Sequence, residues 1–345
     1  MKNKTKQKLI YLLIVIFILI LLYFLYSIYK SSYIEQMLSN KKSILIYPHT
    51  MFSNKDGGIT VQYYFAKLLK EKNIDIKIYS NDYINNDIFS DFTNNFDNEN
   101  TIIIYCEGIE GNPLNAKYIV RWILSEMGKN VPYERYLSWG KNDLCYYFLS
   151  EEKIKDSPEK IGSIYKFLTT IYLKPNTFIN YHSSIRKGYC HIFKKSHYHR
   201  NVVQFHPNDS VNINGFNTYE DLVKIFNNYE YFICYDPACF LVWIAGLCGC
   251  IPILHKVENV TKEQFFTGNG DTNSLFYTYY QKYPYTDYPG IAYGMEDLEN
   301  AKQTIHLLPD LLMKQIEYMN NICVNSFIND MEHFDKNVNT IENNY

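Results

Sequence analysis

One short stretch, residues 231–254, constrains the fold of this chain more than any other. It opens with an apolar run rich in strand-forming residues, 231–234, and closes with a second such run at 251–254. Between them, residues 238–248 are apolar enough to form a buried helix, and Gly249 suits the left-handed position that ends many helices. A strand, a helix and a second strand in so few residues predict a βαβ unit with a right-handed crossover.

The end of the first of these strands is a candidate ligand site. Tyr235, Asp236, Pro237 and Ala238 lie between the strand and the helix, at the edge where a parallel sheet binds its ligands. Pro237 favours the first turn of a helix, and Asp236 can cap the free N–H groups there. Because a helix N-terminus attracts anions, the expected ligand carries phosphate. The alternative is a buried core unit in which Asp236 is only a helix cap.

Residues 235–252 resemble the donor site of GT-B glycosyltransferases, above all the retaining group, in which two glutamates eight positions apart flank a helix. In that group the helix is followed by a small residue, Cys, Gly, any residue and Pro. Here the turn is Cys248-Gly249-Cys250-Ile251-Pro252, in which two residues rather than one separate the Gly from the Pro. Asp236 stands at the position of the first glutamate, and the resemblance therefore makes it a candidate catalytic residue. Ile244, which cannot replace a carboxylate, stands at the second position.

The resemblance implies an α/β protein with two Rossmann-like domains that face a cleft. It also implies the transfer of a sugar from a nucleotide-diphospho-sugar to a hydroxyl. The nucleotide-diphospho-sugar would be a co-substrate, and no cofactor is expected beside it.

Charge and cysteine content argue against several other classes of protein. The formal net charge is -2, so the chain lacks the overall basic character that would indicate a nucleic-acid partner. The eight cysteines show neither a disulfide framework nor a zinc spacing, and we expect buried free thiols. Asp-x-Asp, which holds the metal in the other large glycosyltransferase architecture, is absent from the sequence. We therefore expect no metal, and a leaving diphosphate stabilised by Arg, Lys and helix N–H groups.

The N-terminal residues predict a single membrane anchor. Four lysines within residues 1–8 precede an uncharged, mostly apolar run at 9–29, which is long enough to span a bilayer. The lysines place the N-terminus in the cytosol and the catalytic domain on the lumenal or extracytoplasmic side. Residues 30–42 would form a short stem. A cleaved signal peptide is the alternative, although no small-x-small cleavage site follows the run.

Residues 43–174 are predicted to form the first Rossmann-like domain, which would hold the acceptor. It opens with a strand, a glycine loop, a helix and a second strand, at residues 43–47, 54–58, 59–72 and 74–79. The three spaced glycines of a dinucleotide-binding fold are absent, which argues against an NAD enzyme. Gly57 and Gly58 resemble the first-loop glycines through which GT-B enzymes bring backbone N–H groups close to substrate.

The rest of this domain supplies a candidate catalytic group. We predict a polar loop with a short helix, then a strand, a helix and two strands, at residues 81–100, 101–106, 112–127, 143–149 and 169–173. Glu107 directly follows a strand, which makes it the candidate acid or base on the acceptor side. The alternative is a solvated loop carboxylate.

Residues 175–295 are predicted to form the donor domain. Three strands and a helix, at 177–180, 190–193, 202–205 and 219–227, lead into the central βαβ unit. Arg186 with Lys187 or Lys195 resembles the Arg and Lys that hold the donor diphosphate in retaining GT-B enzymes. The alternative is a solvated basic turn. His206 follows a predicted strand and could meet the nucleotide base or simply pack in its loop.

The C-terminal part, residues 296–345, is predicted to hold two closing helices, 297–308 and 311–327, and a polar tail. In GT-B proteins the last helices often cross back to the first domain. A glycine and asparagine loop at 268–271 and an aromatic-rich stretch at 276–293 precede them.

Together these features predict a membrane-anchored, metal-independent glycosyltransferase with a nucleotide-sugar donor and a glycan, lipid or protein acceptor. One alternative, favoured by Ile244, is a degenerate transferase scaffold that acts as a membrane-anchored binding or assembly protein. A third interpretation is another nucleotide-using enzyme on the same fold, because a fold does not fix a function.

Overall fold

The structure of the protein is a computed structural model. It describes residues 20, 23–26, 42–53, 56–125, 128, 131–140, 142–148, 166–173, 176–182, 184–193, 202–216, 218–236, 239–256, 258–259, 261–266 and 288–334. Several sequence predictions lie outside these residues: most of the span at 9–29, Lys195, Pro237, Ala238, the loop at 268–271, most of the stretch at 276–293, and the tail after 334.

The chain divides into two compact units, Met1–Ser43 and Ile44–Tyr345, and the elements below belong to the second apart from Ser43 itself. In the first unit the structure describes helical residues at 20 and 23–26. A helix of at least 18 residues with the hydropathy of a membrane span does not occur within the described ranges.

The first half of the second unit forms a parallel sheet. Its strands are β1 (Ser43–Tyr47), β2 (Ile76–Tyr79), β3 (Phe92–Thr93), β4 (Thr101–Cys106), β5 (Tyr118–Ile123), β6 (Leu144–Tyr147) and β7 (Lys166–Phe167). The order of these described strands is β3-β2-β1-β4-β5-β6-β7. Every residue of β4 and β6 is buried, as expected for a parallel sheet covered on both faces.

The second half forms a smaller parallel sheet. Its strands are β8 (Tyr189–Ile192), β9 (Val211–Asn212), β10 (Tyr231–Cys234), β11 (Ile251–Leu254) and β12 (Ala292–Tyr293). The order of the described strands is β12-β11-β10-β8-β9, and all four neighbouring pairs are parallel. The predicted α/β class with parallel sheets is therefore confirmed.

Helices cover the sheets. Those within the described residues are α1 (Gly57–Glu71), α2 (Tyr219–Asn228), α3 (Leu241–Leu247), α4 (Lys262–Phe266), α5 (Leu298–Thr304) and α6 (Leu308–Glu332), with 3-10 turns at Tyr133–Ser138, Met295–Asp297 and Ile305–Leu307. Helix α2 begins with a capping box, in which the Thr218 hydroxyl accepts from the Asp221 N–H and the Asp221 carboxylate accepts from the Thr218 N–H.

Each sheet has a point at which the strand order reverses. In the first sheet the chain moves outward from β1 to β2 and β3, then returns to β4 on the other side of β1. In the second sheet it moves from β8 to β9, then returns to β10 on the other side of β8. The carboxyl ends of strands at such a reversal form the crevice in which open α/β sheets bind ligands. The topology therefore indicates two candidate ligand sites, at the carboxyl ends of β1 and β4 and at those of β8 and β10.

One long helix belongs to the cores of both sheets. Near its start, α6 places Leu308 and Leu311 in the core of the second sheet. Two turns from its end, Val324 and Phe327 pack in the core of the first sheet. The expected return of the last helix to the first sheet is confirmed, and it holds the two sheets in one compact unit.

The predicted helix at 112–127 is wrong, because this segment contains β5. Asn115 has a φ of 50°, in the left-handed region that interrupts a right-handed helix. Val120 and Trp122 then point into one core, while Ile123 belongs to a core cluster on the opposite face. This alternation is typical of a strand, and the β-branched and aromatic residues favour it.

The predicted strands at 169–173, 177–180 and 202–205 are also wrong, because backbone N–H or C=O groups in these segments form hydrogen bonds with side chains instead of with a neighbouring strand. Ile171 N–H donates to Asn320 Oδ1 of α6 at 2.8 Å. Asn227 Nδ2 donates to the Ile179 carbonyl at 2.8 Å. Phe205 N–H donates to the Tyr235 hydroxyl at 2.9 Å. The short helix expected at 81–100 is likewise replaced by turns and β3.

Helix α3 is shorter than the predicted helix at 238–248. It begins at Leu241, and its N-cap residue is Phe240, which makes no side-chain capping bond. The predicted cap by Asp236 is therefore corrected.

Candidate active site

A pocket of about 650 Å³ opens at the first of the two strand-order reversals. Residues that follow β1, β4 and β5 line it together with the first turn of α1; they include His49, Asp56, Gly57, Gly58, Glu107 and Ser125. We call it the β1/β4 pocket. It brings the predicted Glu107 and the glycines of the first loop to one place.

Glu107 forms part of the pocket wall and has a fixed orientation. Its residue surface is only 5% exposed. One carboxylate oxygen accepts the Leu124 N–H at 2.9 Å, and the other accepts the Ser125 hydroxyl at 2.8 Å. Each carboxylate oxygen has a second lone pair, so the group can still accept a proton or a hydrogen bond from a ligand.

Asp56 joins the first turn of α1 to the pocket. Its Oδ1 accepts from the N–H groups of Gly58 and Ile59, at 2.9 and 3.1 Å, and so caps the helix. Its Oδ2 lies 3.4 Å from His49 Nε2. The hydrogen bond from His49 lowers the pKa of the Asp56 carboxyl, and the two helix N–H groups lower it further against the opposing effect of burial.

His49 lies between Asp56 and Cys106. Its Nδ1 is 3.3 Å from Cys106 Sγ on the side opposite the carboxylate. The hydrogen bond with Asp56, followed by that with Cys106, raises the pKa of His49 to about 10 against the opposing effect of burial. The raised pKa favours the imidazolium form of His49 at neutral pH, so this side chain is not suited to accept a proton in the pocket.

We expect the contribution of His49 to stability to fall as the pH rises. A raised folded-state pKa means that its contribution is complete below about 6.5 and is lost as the pH approaches about 10. His49→Gln should therefore cost about 1 kcal/mol or less at pH 6, because both partners are partly exposed to solvent, and close to nothing at pH 10.

Urea unfolding of wild type and His49→Gln at pH 6, 8 and 10 measures this trend. His333→Gln is the matched control, since His333 is exposed and contacts the Asn329 carbonyl rather than a carboxylate. A stability difference between wild type and His49→Gln that stays constant over this pH range would contradict the assignment.

The second reversal brings together the predicted catalytic residue Asp236 and two predicted donor residues, Tyr235 and His206. Tyr235 and Asp236 directly follow β10, and both are buried. His206 is brought to Tyr235, with its Nδ1 2.8 Å from the Tyr235 hydroxyl. His191 of β8 stacks on His206, with ring centroids 3.8 Å apart. His191 was not predicted, since its neighbours in the sequence show only a strand.

The structure does not bring Arg186 and Lys187 to this edge, so their predicted placement beside the donor diphosphate is corrected. Both residues precede β8 and lie at the amino ends of the strands, whereas Asp236 follows β10 at the carboxyl end. Arg186 Nη2 donates to Asn180 Oδ1, Asn227 Oδ1 and the Cys248 carbonyl, at 2.8, 2.8 and 2.6 Å. These bonds connect the segments that contain Asn180, Asn227 and Cys248 at the amino ends of the strands, and they give Arg186 a structural role.

Ile244, at the position of the second glutamate in the GT-B resemblance, is buried within the core of the second sheet. The eight cysteines form no disulfide in the described part of the chain; seven are buried, as expected, and Cys239 is partly exposed.

No family model matches this chain, and no curated protein matches it. Among solved structures it is similar to a T4 phage β-glucosyltransferase (TM-score 0.39, 9% identity, 87% of this chain and 99% of that one). A second is a DNA-modifying β-glucosyltransferase studied with and without uridine diphosphoglucose (TM-score 0.42, 10% identity, 86% and 99%). A third is T4 phage BGT with UDP and Mn²⁺ (TM-score 0.40, 11% identity, 86% and 99%). At these TM-scores, function has to be argued from the residues of the site.

Proposed function

We propose that the protein is a glycosyltransferase of the GT-B type, which moves a sugar from a nucleotide-diphospho-sugar to a hydroxyl group. The observation that carries the proposal is Glu107, held by two hydrogen bonds in the wall of a 650 Å³ pocket at the strand-order reversal of the first sheet. A buried, oriented carboxylate beside a pocket of this size is suited to take the proton of a bound hydroxyl.

In the proposed reaction, the Glu107 carboxylate accepts the proton of the acceptor hydroxyl as that oxygen attacks the anomeric carbon of the sugar. The bond between this carbon and the diphosphate oxygen breaks, and the nucleotide diphosphate leaves with the bonding electrons. Such a direct displacement inverts the anomeric configuration, in contrast to the retaining group that residues 235–252 resemble. The ion pair of His49 with Asp56 fixes the loop after β1 against the start of α1 and so shapes the pocket.

The donor would bind at the carboxyl edge of the second sheet, beside Tyr235, His206 and Asp236. Lys195, Pro237 and Ala238 remain proposed donor residues, on the resemblance alone. Arg186 and Lys187 are left out of this site because they lie at the opposite ends of the strands. The acceptor in this proposal is a glycan, lipid or protein hydroxyl.

The direct test is a panel of UDP-, GDP- and ADP-sugars with the full-length chain and hydroxyl acceptors, read as released nucleotide diphosphate. Release that depends on acceptor supports the transferase. The second candidate function is a degenerate scaffold, which the buried Ile244 favours. Binding of a nucleotide without release from any sugar donor would support the scaffold and overturn the enzyme.

We propose that transfer requires no divalent metal, since the sequence contains no Asp-x-Asp. Transfer should then continue in EDTA with less than about a twofold loss, because Lys195, which stays a proposed donor residue, and N–H groups rather than a metal ion would stabilise the leaving diphosphate. The transfer assay with and without EDTA measures this. Complete loss on chelation that manganese restores would contradict the metal-independent mechanism.

We also propose that residues 9–29 anchor the protein in a membrane, with the N-terminus in the cytosol. The full-length chain should then resist extraction by alkaline carbonate, because its apolar run would lie in the hydrocarbon core. Protease treatment of sealed microsomes measures the orientation. Protection of the globular part is the expected result, and its complete digestion would reverse the orientation.

A further inference from the structure

The carboxyl edge of the second sheet contains a hydrogen-bond arrangement whose proton positions can be worked out. The Tyr235 hydroxyl lies 2.9 Å from the Phe205 nitrogen, 3.1 Å from the His206 nitrogen and 2.8 Å from His206 Nδ1. The first two contacts are with backbone N–H groups, which can only donate. Tyr235 is buried, so its hydroxyl makes these bonds away from bulk water.

A phenol hydroxyl has two acceptor lone pairs and one proton. The N–H groups of Phe205 and His206 occupy both lone pairs, so the hydroxyl proton must point at His206 Nδ1. Nδ1 is then the acceptor of this bond and carries no proton. The imidazole of His206 is therefore the neutral tautomer with its proton on Nε2, and protonation of Nδ1 would set two protons against each other across 2.8 Å.

The position of the His206 ring is also fixed. It stacks on His191 with centroids 3.8 Å apart and an interplanar angle of 13°. His191 is held in turn by Ser210, whose Oγ lies 2.8 Å from His191 Nδ1. Burial lowers the pKa of His191, which favours the neutral form of this ring at physiological pH as well. We call the two rings the His191–His206 stack.

The stack lies where the second sheet would bind a ligand. His191 is part of β8 and Tyr235 follows β10, and these are the two strands that flank the reversal of strand order. Across the reversal the Phe193 and Tyr235 rings stack at 4.2 Å. Within the described residues His206 Nε2 makes no hydrogen bond, so its N–H is available to a ligand.

We propose that Tyr235 acts as a positioning residue that fixes His206 as a neutral Nε2–H donor, and that this donor binds an oxygen of a nucleoside diphosphate. The tautomer follows from this chain alone, whereas the identity of the ligand rests on the proposed function. The oxygen belongs either to the diphosphate or to a carbonyl of the base. Either oxygen can accept a hydrogen bond from the fixed Nε2–H group of His206.

The proton position is tested by nitrogen-15 spectra of the full-length chain labelled at histidine, with His206 and His191 assigned by substitution. In wild type, His206 should show a protonated Nε2 and an unprotonated Nδ1. Tyr235→Phe keeps the ring stacked on Phe193 and removes the hydroxyl, so the two tautomers of His206 should then exchange. A wild-type spectrum with the proton on Nδ1 or on both nitrogens would overturn the arrangement.

The ligand is tested with His206→Phe, which keeps an aromatic ring on His191 and removes the donor. Calorimetry with UDP, GDP, ADP, uridine and inorganic pyrophosphate separates the two oxygen sources. If the donor binds the diphosphate, affinity for the nucleotide and for pyrophosphate should fall about 10- to 150-fold, as for a hydrogen bond to a charged group. If it binds a base carbonyl of a uracil nucleotide, UDP and uridine should lose affinity about 2- to 12-fold while pyrophosphate is unaffected. His333→Phe, at an exposed site, is the control.

The remaining outcomes are distinct. If His206→Phe binds every probe with wild-type affinity, the subsite is overturned. This result would not contradict the proposed glycosyl transfer. Absence of binding of any nucleotide or pyrophosphate to wild type would overturn the ligand, and absence of transfer would separately overturn the proposed function. Since the binding measurement does not use Tyr235→Phe, the ligand assignment stays testable if that variant fails to fold.

Discussion

Glu107→Gln should reduce sugar transfer by about 10²- to 10⁴-fold, the range by which a positioned general base accelerates a reaction. The amide has nearly the same shape but cannot take a proton from the acceptor. Its oxygen can still accept the Leu124 N–H, and its nitrogen can donate to the Ser125 hydroxyl, so the pocket should keep its form. Nucleotide diphosphate binding, which we place at the other sheet, should be unchanged. A transfer assay beside calorimetry measures both quantities.

Glu110→Gln is the matched control for this prediction, because Glu110 is an exposed carboxylate three residues further along the same loop. It should transfer sugar at the wild-type rate. Normal transfer by Glu107→Gln would remove Glu107 from the reaction, whereas loss of nucleotide binding together with transfer would indicate a general structural defect instead.

Asp143→Ala should lower the free energy of unfolding by about 3–5 kcal/mol, because it leaves a buried charge without its partner. Asp143 Oδ2 accepts from Arg121 Nε at 2.7 Å, and the two side chains are 7% and 1% exposed. The guanidinium is enclosed by the rings of Tyr105 and Trp139, with its carbon 5.0 and 5.1 Å from their centroids. It therefore cannot turn toward water when the carboxylate is removed.

Asp91→Ala is the control, since it breaks an exposed ion pair with Lys70. The Lys70 side chain is 50% exposed and the Asp91 side chain 37%. This change should cost less than about 1 kcal/mol. Urea unfolding of both variants measures the difference. A cost below 1 kcal/mol for Asp143→Ala would show that the Arg121 charge finds another partner or reaches solvent.

Short apolar runs bounded by turn residues were enough to predict the central strands. The run 43–47 ends at Pro48, and the run 231–234 is followed by Asp236 and Pro237, so local sequence fixes both ends. The segments that failed depend on distant residues. Residues 169–173 resemble a strand in isolation, but Asn320 and Cys323 of α6 take their backbone N–H groups. Contacts between residues about 150 positions apart leave no local pattern.

The site could be predicted in part. Glu107 was found because a residue that follows a buried strand must lie at the carboxyl edge of the sheet. The same rule read in the opposite direction would have placed Arg186 correctly, since it precedes β8 and so lies at the amino edge. His49 follows β1 closely and was open to the same argument. The charge state of His49 could not be predicted in this way, because it depends on contacts with Asp56 and Cys106, which come from two other elements.

The shared helix α6 has a consequence for how the chain folds as it is synthesised. The described strands of the first sheet precede residue 168, but Cys323, Val324 and Phe327, which pack in its core, are made roughly 150 residues later. At a translation rate of about 5–20 residues per second, the wait is roughly 8–30 s. During this time the rings of Phe65 and Tyr146, which contact Phe327 in the finished protein, lack their cover. We therefore expect the nascent first half to expose apolar surface until the last helix emerges, and a chain that stops before Phe327 to keep this surface exposed.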